Sequence, residues 1–131
     1  ESILADGAKS EAAFVTGPAL LGQVAGQPLN YPQLLAQHRA TFGFQSKSGA
    51  ESAGLAYVVG FAVHQGLADR DALNGLTSSA ADMFGLTSVG QLKPGHDADL
   101  VVWSGPPFDP GSRILAVMID GHWVFKREVK P

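Results

Sequence analysis

The 131-residue sequence has no cysteine. That removes disulfides, thiolate zinc sites and cysteine nucleophiles, and it leaves open whether the compartment is reducing or oxidising. Long apolar runs are also missing. The longest, around Gly54 to Val63, is far below the roughly 18 residues that a membrane-spanning helix needs, so no membrane span is expected. Cytoplasm and periplasm are both compatible with such a chain. Basic clusters are scarce: nine Lys and Arg stand against twelve Asp and Glu, a net charge of -3, and only Lys126, Arg127 and Lys130 gather near the end. No nucleic-acid footprint follows from that distribution. Phosphate-cradling loops and the Gly-x-Ser-x-Gly elbow are absent as well. The first residues, ESILADGAKSEAAFV, contain neither an initiator Met nor a signal-peptide layout, so they read as a cut end with further sequence expected upstream.

What is present is enough apolar residue, 45% of the chain, to build a core. AAFVTG (12–17) predicts a short buried strand that stops at Gly17-Pro18. The Gly- and Pro-rich GPALLGQVAGQPLNYP is expected to be a loop. YPQLLAQHRA follows as a short helix with Pro32 tolerated in its first turn. ATFGFQS (40–46) predicts a second strand. Leu55, Val58, Val59, Ala62 and Val63 then fall at i, i+3, i+4, i+7 and i+8, one face of a helix that ends by Gly66. ADRDALNGL and TSSAADMFGL predict two short helices, with Thr77 as N-cap of the second and Gly85 as its stop. The texture then changes to three β-rich runs, ADLVVW, RILAVMI and HWVFKRE. Asp120-Gly121 marks a tight turn between the last two.

The stretch GQLKPGHDADLVVW (90–103) is explained locally first. Pro94-Gly95 suits the centre of a type II turn, Asp97 and Asp99 can bond nearby backbone amides, and Leu100 to Trp103 should form a buried strand. Taken with its surroundings, the pattern Gly90, Leu92, Pro94, Gly95, Ala98, Asp99, Leu100, Val101, Val102 resembles the C-terminal end of metal-dependent amidohydrolases of the imidazolonepropionase-like type, over roughly residues 40–126. The resemblance implies an α/β fold. Residues 1–86 would supply the last β/α units of a (β/α)8 barrel, and residues 87–131 would supply strands of a small β-sandwich beside it. Two parallel strands cannot close a barrel, so upstream sequence or a partner chain, and an oligomer, are expected with it.

The same resemblance implies hydrolysis of non-peptide C–N bonds, cyclic amides among them, in a small-molecule substrate, with zinc or another divalent metal activating water. The family's metal ligands would lie upstream, apart from an Asp at the tip of the eighth barrel strand. ATFGFQSKSG resembles that strand, but Ser46 is followed by Lys47, and an ammonium group has only donors and repels a divalent cation. Gln45, Ser46, Lys47 and Ser48 are therefore candidates to line a substrate site, with no catalytic or metal-binding residue in this chain alone. Glu51 is the nearest carboxylate, and an i, i+4 pair with Lys47 suits it better than catalysis.

The four histidines do not make a metal site: His38 lies in a helix-like segment, His64 on the long helix, His96 in a turn and His122 after a hairpin turn. His96, Asp97 and Asp99 could be read as ligands, but turn-capping already accounts for the carboxylates, and His96 stands at a surface position where the family usually has Lys. Two functions stay open: part of a hydrolase completed by other sequence, or a non-catalytic subunit that binds a small molecule or a catalytic partner. A third reading, a self-contained β-rich binding module, sits poorly with two orphaned parallel strands.

Overall fold

The computed structural model describes residues 12–17, 20–46 and 54–128. Strand β1 (Ala13–Thr16) pairs in parallel with β4 (Thr41–Phe44) in the register Ala13↔Thr41 to Thr16↔Phe44. Between them lies a feature that the Gly- and Pro-rich composition hid. The expected loop contains an antiparallel hairpin, β2 (Leu21–Val24) and β3 (Gln27–Asn30). Its two turn residues, Ala25 (φ 50°) and Gly26 (φ 77°), both adopt positive φ, the I′ geometry that matches strand twist. An Ala at the first of these positions gives no sequence signal for such a turn.

Helix α1 (Tyr31–Gln37) starts where Pro32 permits it, and Asn30 caps it by accepting from the Gln33 amide at 3.1 Å. Helix α2 (Leu55–His64) follows β4 and buries Val59, Gly60 and Ala62. Val58, expected on the buried face, is exposed, because the contact stripe is centred on Val59 and Ala62. Helices α3 (Asp69–Leu76) and α4 (Ser78–Met83) form as expected. Thr77 occupies the N-cap of α4, but its hydroxyl donates backward to the Leu73 carbonyl at 2.7 Å and caps nothing.

Three of these helices end alike. After α1, α2 and α4 a residue with positive φ (Arg39, Gly66, Gly85) donates to the second-last helical carbonyl (Ala36, Val63, Asp82), and the next amide reaches one residue further back. The closing bonds are Ala40 to Leu35 (3.0 Å), Leu67 to Ala62 (3.1 Å) and Leu86 to Ala81 (2.9 Å).

The second half is one antiparallel sheet in the order β5 (Leu100–Trp103), β6 (Ile114–Ile119), β7 (His122–Lys126). Asp120 and Gly121 make its tight turn with φ of 49° and 74°. The expectation that β5 is buried fails: Val101 is 46% exposed and Val102 38%, since no second sheet faces it among the described residues. Two residues of the basic end make contacts within the sheet. Lys126 sits 4.7 Å over the Trp123 ring, and Arg127 returns to β6 through its amide (Leu115 carbonyl, 2.8 Å) and its Nε (Ile114 carbonyl, 3.2 Å).

One apolar cluster binds these parts. Leu20, Leu35, Phe42, Val59, Ala62, Leu67 and Ala72 are joined by Phe108, from the loop between β5 and β6, which packs beside Gly60 of α2. The helices α3 and α4 approach β4 closely because two glycines allow it: Gly75 faces the edge-to-face rings of Phe42 and Phe44, and Gly43 faces the Met83 sulfur.

Candidate functional site

Parallel pairing in register brings the C-terminal ends of β1 and β4 to one place, the position where α/β folds build their sites. The Gln45 amide donates to the Thr16 carbonyl at 2.8 Å and so extends the ladder one residue past β4. Thr16 is buried, and its hydroxyl donates to the Gly43 carbonyl at 3.0 Å. Gly17, at φ 130°, lets the chain turn away directly against the Gln45 carbonyl, where a Cβ would stand 2.9 Å from the oxygen. These contacts fix the backbone of the strand tips while leaving Gln45 and Ser46 exposed.

Lys47, Ser48 and Glu51 lie outside the described residues. The tip that is described carries an amide and a hydroxyl, which can donate to and accept from a neutral polar ligand but supply neither a proton-accepting carboxylate nor an imidazole. Among the described residues no three His, Asp or Glu side chains converge to hold a metal ion, so the donor set of this segment does not fit a divalent metal by itself.

The histidines stay apart. His38 is the C-cap of α1, His64 is the last residue of α2, and His122 opens β7. The His96, Asp97, Asp99 group does not form a ligand set. Asp97 Oδ2 accepts from the Ser88 hydroxyl at 3.0 Å, and Asp99 Oδ1 accepts from the Asp120 amide at 2.8 Å. The carboxylates thus close turns, as their residue types suggest, but across long sequence separations rather than to nearby amides. The Pro94-Gly95 turn is as expected: the His96 amide donates to the Lys93 carbonyl at 3.1 Å, with Gly95 at φ 86°. His96 is half-buried rather than on the surface, with an Nδ1 that is enclosed and has no hydrogen-bond partner. It borders a cleft of about 360 Å³ together with Asp82, Leu86, Thr87, Gln91 and Lys93. Sequence reasoning missed this cleft because its lining comes from the end of α4 and an irregular segment with no periodicity to read.

Comparison with known proteins bears on the whole arrangement. The profile of the amidohydrolase family matches residues 40–124. Amidohydrolase tasK from Hapsidospora irregularis is 41% identical over 59 residues, covering 44% of this chain and 6% of that protein. The crystal structure of an amidohydrolase from Thermotoga maritima MSB8 matches at a TM-score of 0.77 with 30% identity, over 96% of this chain and 34% of that one. A further amidohydrolase crystal structure, at 21% identity, shares the fold over 76% of this chain and 26% of its own, with a TM-score of 0.61. The chain therefore spans about a third of the Thermotoga protein and a small part of the curated relative. With a profile match running from β4 through the three-stranded sheet, over more than half of its length, the chain belongs to the amidohydrolase family.

Proposed function

We propose that this chain is the C-terminal portion of an imidazolonepropionase-like hydrolase that cleaves non-peptide C–N bonds, cyclic amides included. In this reading residues 1–86 are the last β/α units of a (β/α)8 barrel and residues 87–131 belong to a small composite β-sandwich. The observation that carries it is the parallel β1–β4 pair with coincident strand tips, directly followed by the helices and the antiparallel sheet that the family profile spans. Gln45 and Ser46 would line the substrate mouth beside Lys47 and Ser48. A divalent metal, where the whole protein carries one, would be held by side chains outside this chain, and its chemistry would be the activation of water.

One residue favours a second reading. Lys47 follows the strand at the place where the family commonly has an Asp that binds metal and takes a proton. A cation there opposes both roles, which fits a non-catalytic amidohydrolase-like subunit that binds a small molecule or a catalytic partner.

The test is elemental analysis of the natively purified protein that contains this chain, followed by assays on a panel of cyclic amides. Stoichiometric zinc or a similar metal with turnover supports the hydrolase. A folded, homogeneous and metal-free protein that turns over none of the panel supports the non-catalytic subunit and sinks the first reading.

A further inference from the structure

The segment SGPPFDPGSR (104–113), in sequence a mere separator between two strands, folds as a braced loop. Its base is closed twice, by the Ser104 amide on the Arg113 carbonyl at 2.9 Å and by the Arg113 amide on the Ser104 hydroxyl at 3.0 Å. Two turns follow one another inside it, each with Pro in second place, where its fixed φ suits a turn. The Asp109 amide donates to the Pro106 carbonyl at 3.1 Å across Pro107, and the Ser112 amide donates to the Asp109 carbonyl at 2.9 Å across Pro110. Asp109 Oδ1 also accepts from the Gly111 amide at 2.7 Å. Such a loop keeps its shape through its own bonds.

Phe108 stands third in the first of these turns and is 7% exposed. No other described residue after Ala81 is buried. The apolar cluster that takes it in contains Phe42, Val59 and Ala62 and no residue of β5, β6 or β7. Its backbone rests directly on α2, where a Cβ placed on Gly60 would stand 3.5 Å from the Phe108 carbonyl oxygen. The same cluster grips the strand that carries the candidate site and the helix that follows it in the chain. Phe42 belongs to it, while Phe44, the residue before Gln45, and Leu55, the first of α2, pack against it.

We propose that the 104–113 loop is a strap by which the antiparallel sheet fixes the β4 tip, with Phe108 as the positioning residue. Close-packed interiors transmit a displacement instead of absorbing it. Removing the ring leaves a space between α2 and β4 into which the neighbours relax only in part, and the Gln45 amide then loses its alignment on the Thr16 carbonyl. A braced loop suits this task, because a slack one would let Phe108 follow α2 rather than hold it. The consequence for function rests on the reading of Gln45 and Ser46 as a substrate mouth; the mechanical coupling does not.

The experiment is hydrogen–deuterium exchange, read by mass spectrometry, on the complete protein that carries this chain, with Phe108→Ala and the milder Phe108→Leu. Each variant is compared with the parent well below its melting temperature. The expected result for Phe108→Ala is exchange about tenfold faster or more in peptides spanning β4 through α2, with the β6–β7 hairpin unchanged because its own ladder holds it. Phe108→Leu should show a smaller rise in the same peptides, and it decides by the same comparison if Phe108→Ala does not fold. Parent-like exchange from β4 through α2 in a folded variant overturns the proposal. So does a rise spread evenly over the chain, which is plain loss of stability. Affinity or kcat/KM, measured on the same samples, separates the two readings: a fall of roughly tenfold alongside the loosened tip supports both, whereas a loosened tip with unchanged affinity and kcat/KM supports the strap and removes the mouth from β4.

Discussion

The Asn30 side-chain amide donates to the carbonyl oxygen of Ala62 at 2.7 Å, tying the end of the hairpin to the last turns of α2. Its Oδ1 simultaneously accepts from the Gln33 amide at 3.1 Å. Both ends of one buried side chain are therefore satisfied, one by each neighbouring helix. Asn30→Ala removes the cap and the cross-link together, with an expected loss of about 1–3 kcal/mol. Asn30→Asp keeps the cap acceptor but turns an oxygen toward the Ala62 carbonyl, so it should recover little of that loss. Chemical denaturation of the two variants checks the order.

Gly75 sits in a helix, where Ala is normally favoured by up to about 1 kcal/mol. Here a Cβ would stand 2.7 Å from the Phe44 ring and 3.1 Å from the Phe42 ring. Those rings pack edge to face at 5.6 Å, so a shift of one disturbs its packing on the other. The clash, about 1–3 kcal/mol for an overpacked contact, outweighs the propensity gain. Gly75→Ala is expected to lower the denaturation midpoint, whereas the propensity argument alone predicts a rise.

Arg39 is the exception among the three helix stops, since it holds a positive φ of 56° that its counterparts Gly66 and Gly85 adopt as glycines. A side chain in that conformation costs roughly 1–2 kcal/mol, offset in part by the greater entropy of an unfolded glycine. Arg39→Gly should therefore stabilise by about 0.5–1 kcal/mol. An unchanged or lowered melting temperature would show that the exposed Arg39 side chain contributes more than its backbone strain.

Asp99 separates a turn-closing role from a metal-binding one. Its Oδ1 accepts from the Asp120 amide at 2.8 Å, beside the Gly121 amide that donates to the Ala98 carbonyl. Asp99→Asn keeps an acceptor and should leave stability within about 0.5 kcal/mol, while Asp99→Ala should cost about 0.5–1.5 kcal/mol. The metal content of the purified protein should be the same in both. Loss of metal in a stable Asp99→Asn protein would return this carboxylate to the list of ligands.

Much of this architecture was legible because local chemistry and tertiary context agree. The parallel pair, the helix over Leu55–His64 and the Asp120-Gly121 hairpin follow from periodicity and turn residues, and the strand tip at Gln45 and Ser46 lies where the order of elements places it. Departures arise where a side chain has two plausible partners or an element has no periodic signature. Thr77 chose the carbonyl behind it over the amides ahead, and Asp99 bonds an amide that lies near it only after β6 and β7 have formed. The β2–β3 hairpin was hidden by Ala25, a residue that turn rules do not favour at positive φ. Exposure of β5 was invisible for another reason: a continuous apolar run such as Leu100 to Trp103 reads the same whether or not a second layer covers it.

The strand tips give the last prediction, and it concerns function. Gln45 is held by its own amide on Thr16 and by the close approach of Gly17, so its backbone position does not depend on its exposed side chain. Ser46 is exposed beside it. Gln45→Ala and Ser46→Ala should leave the melting temperature unchanged, because neither side chain is buried. If these groups line a substrate mouth, each lost hydrogen bond to a neutral substrate is worth about 0.5–1.5 kcal/mol, a fall of roughly 2- to 10-fold in kcat/KM, or in ligand affinity for a non-catalytic protein. Gly17→Ala is the structural counterpart: its Cβ would press on the Gln45 carbonyl, so stability and binding should fall together. Tip variants that alter neither kcat/KM nor affinity would move the substrate site away from β4.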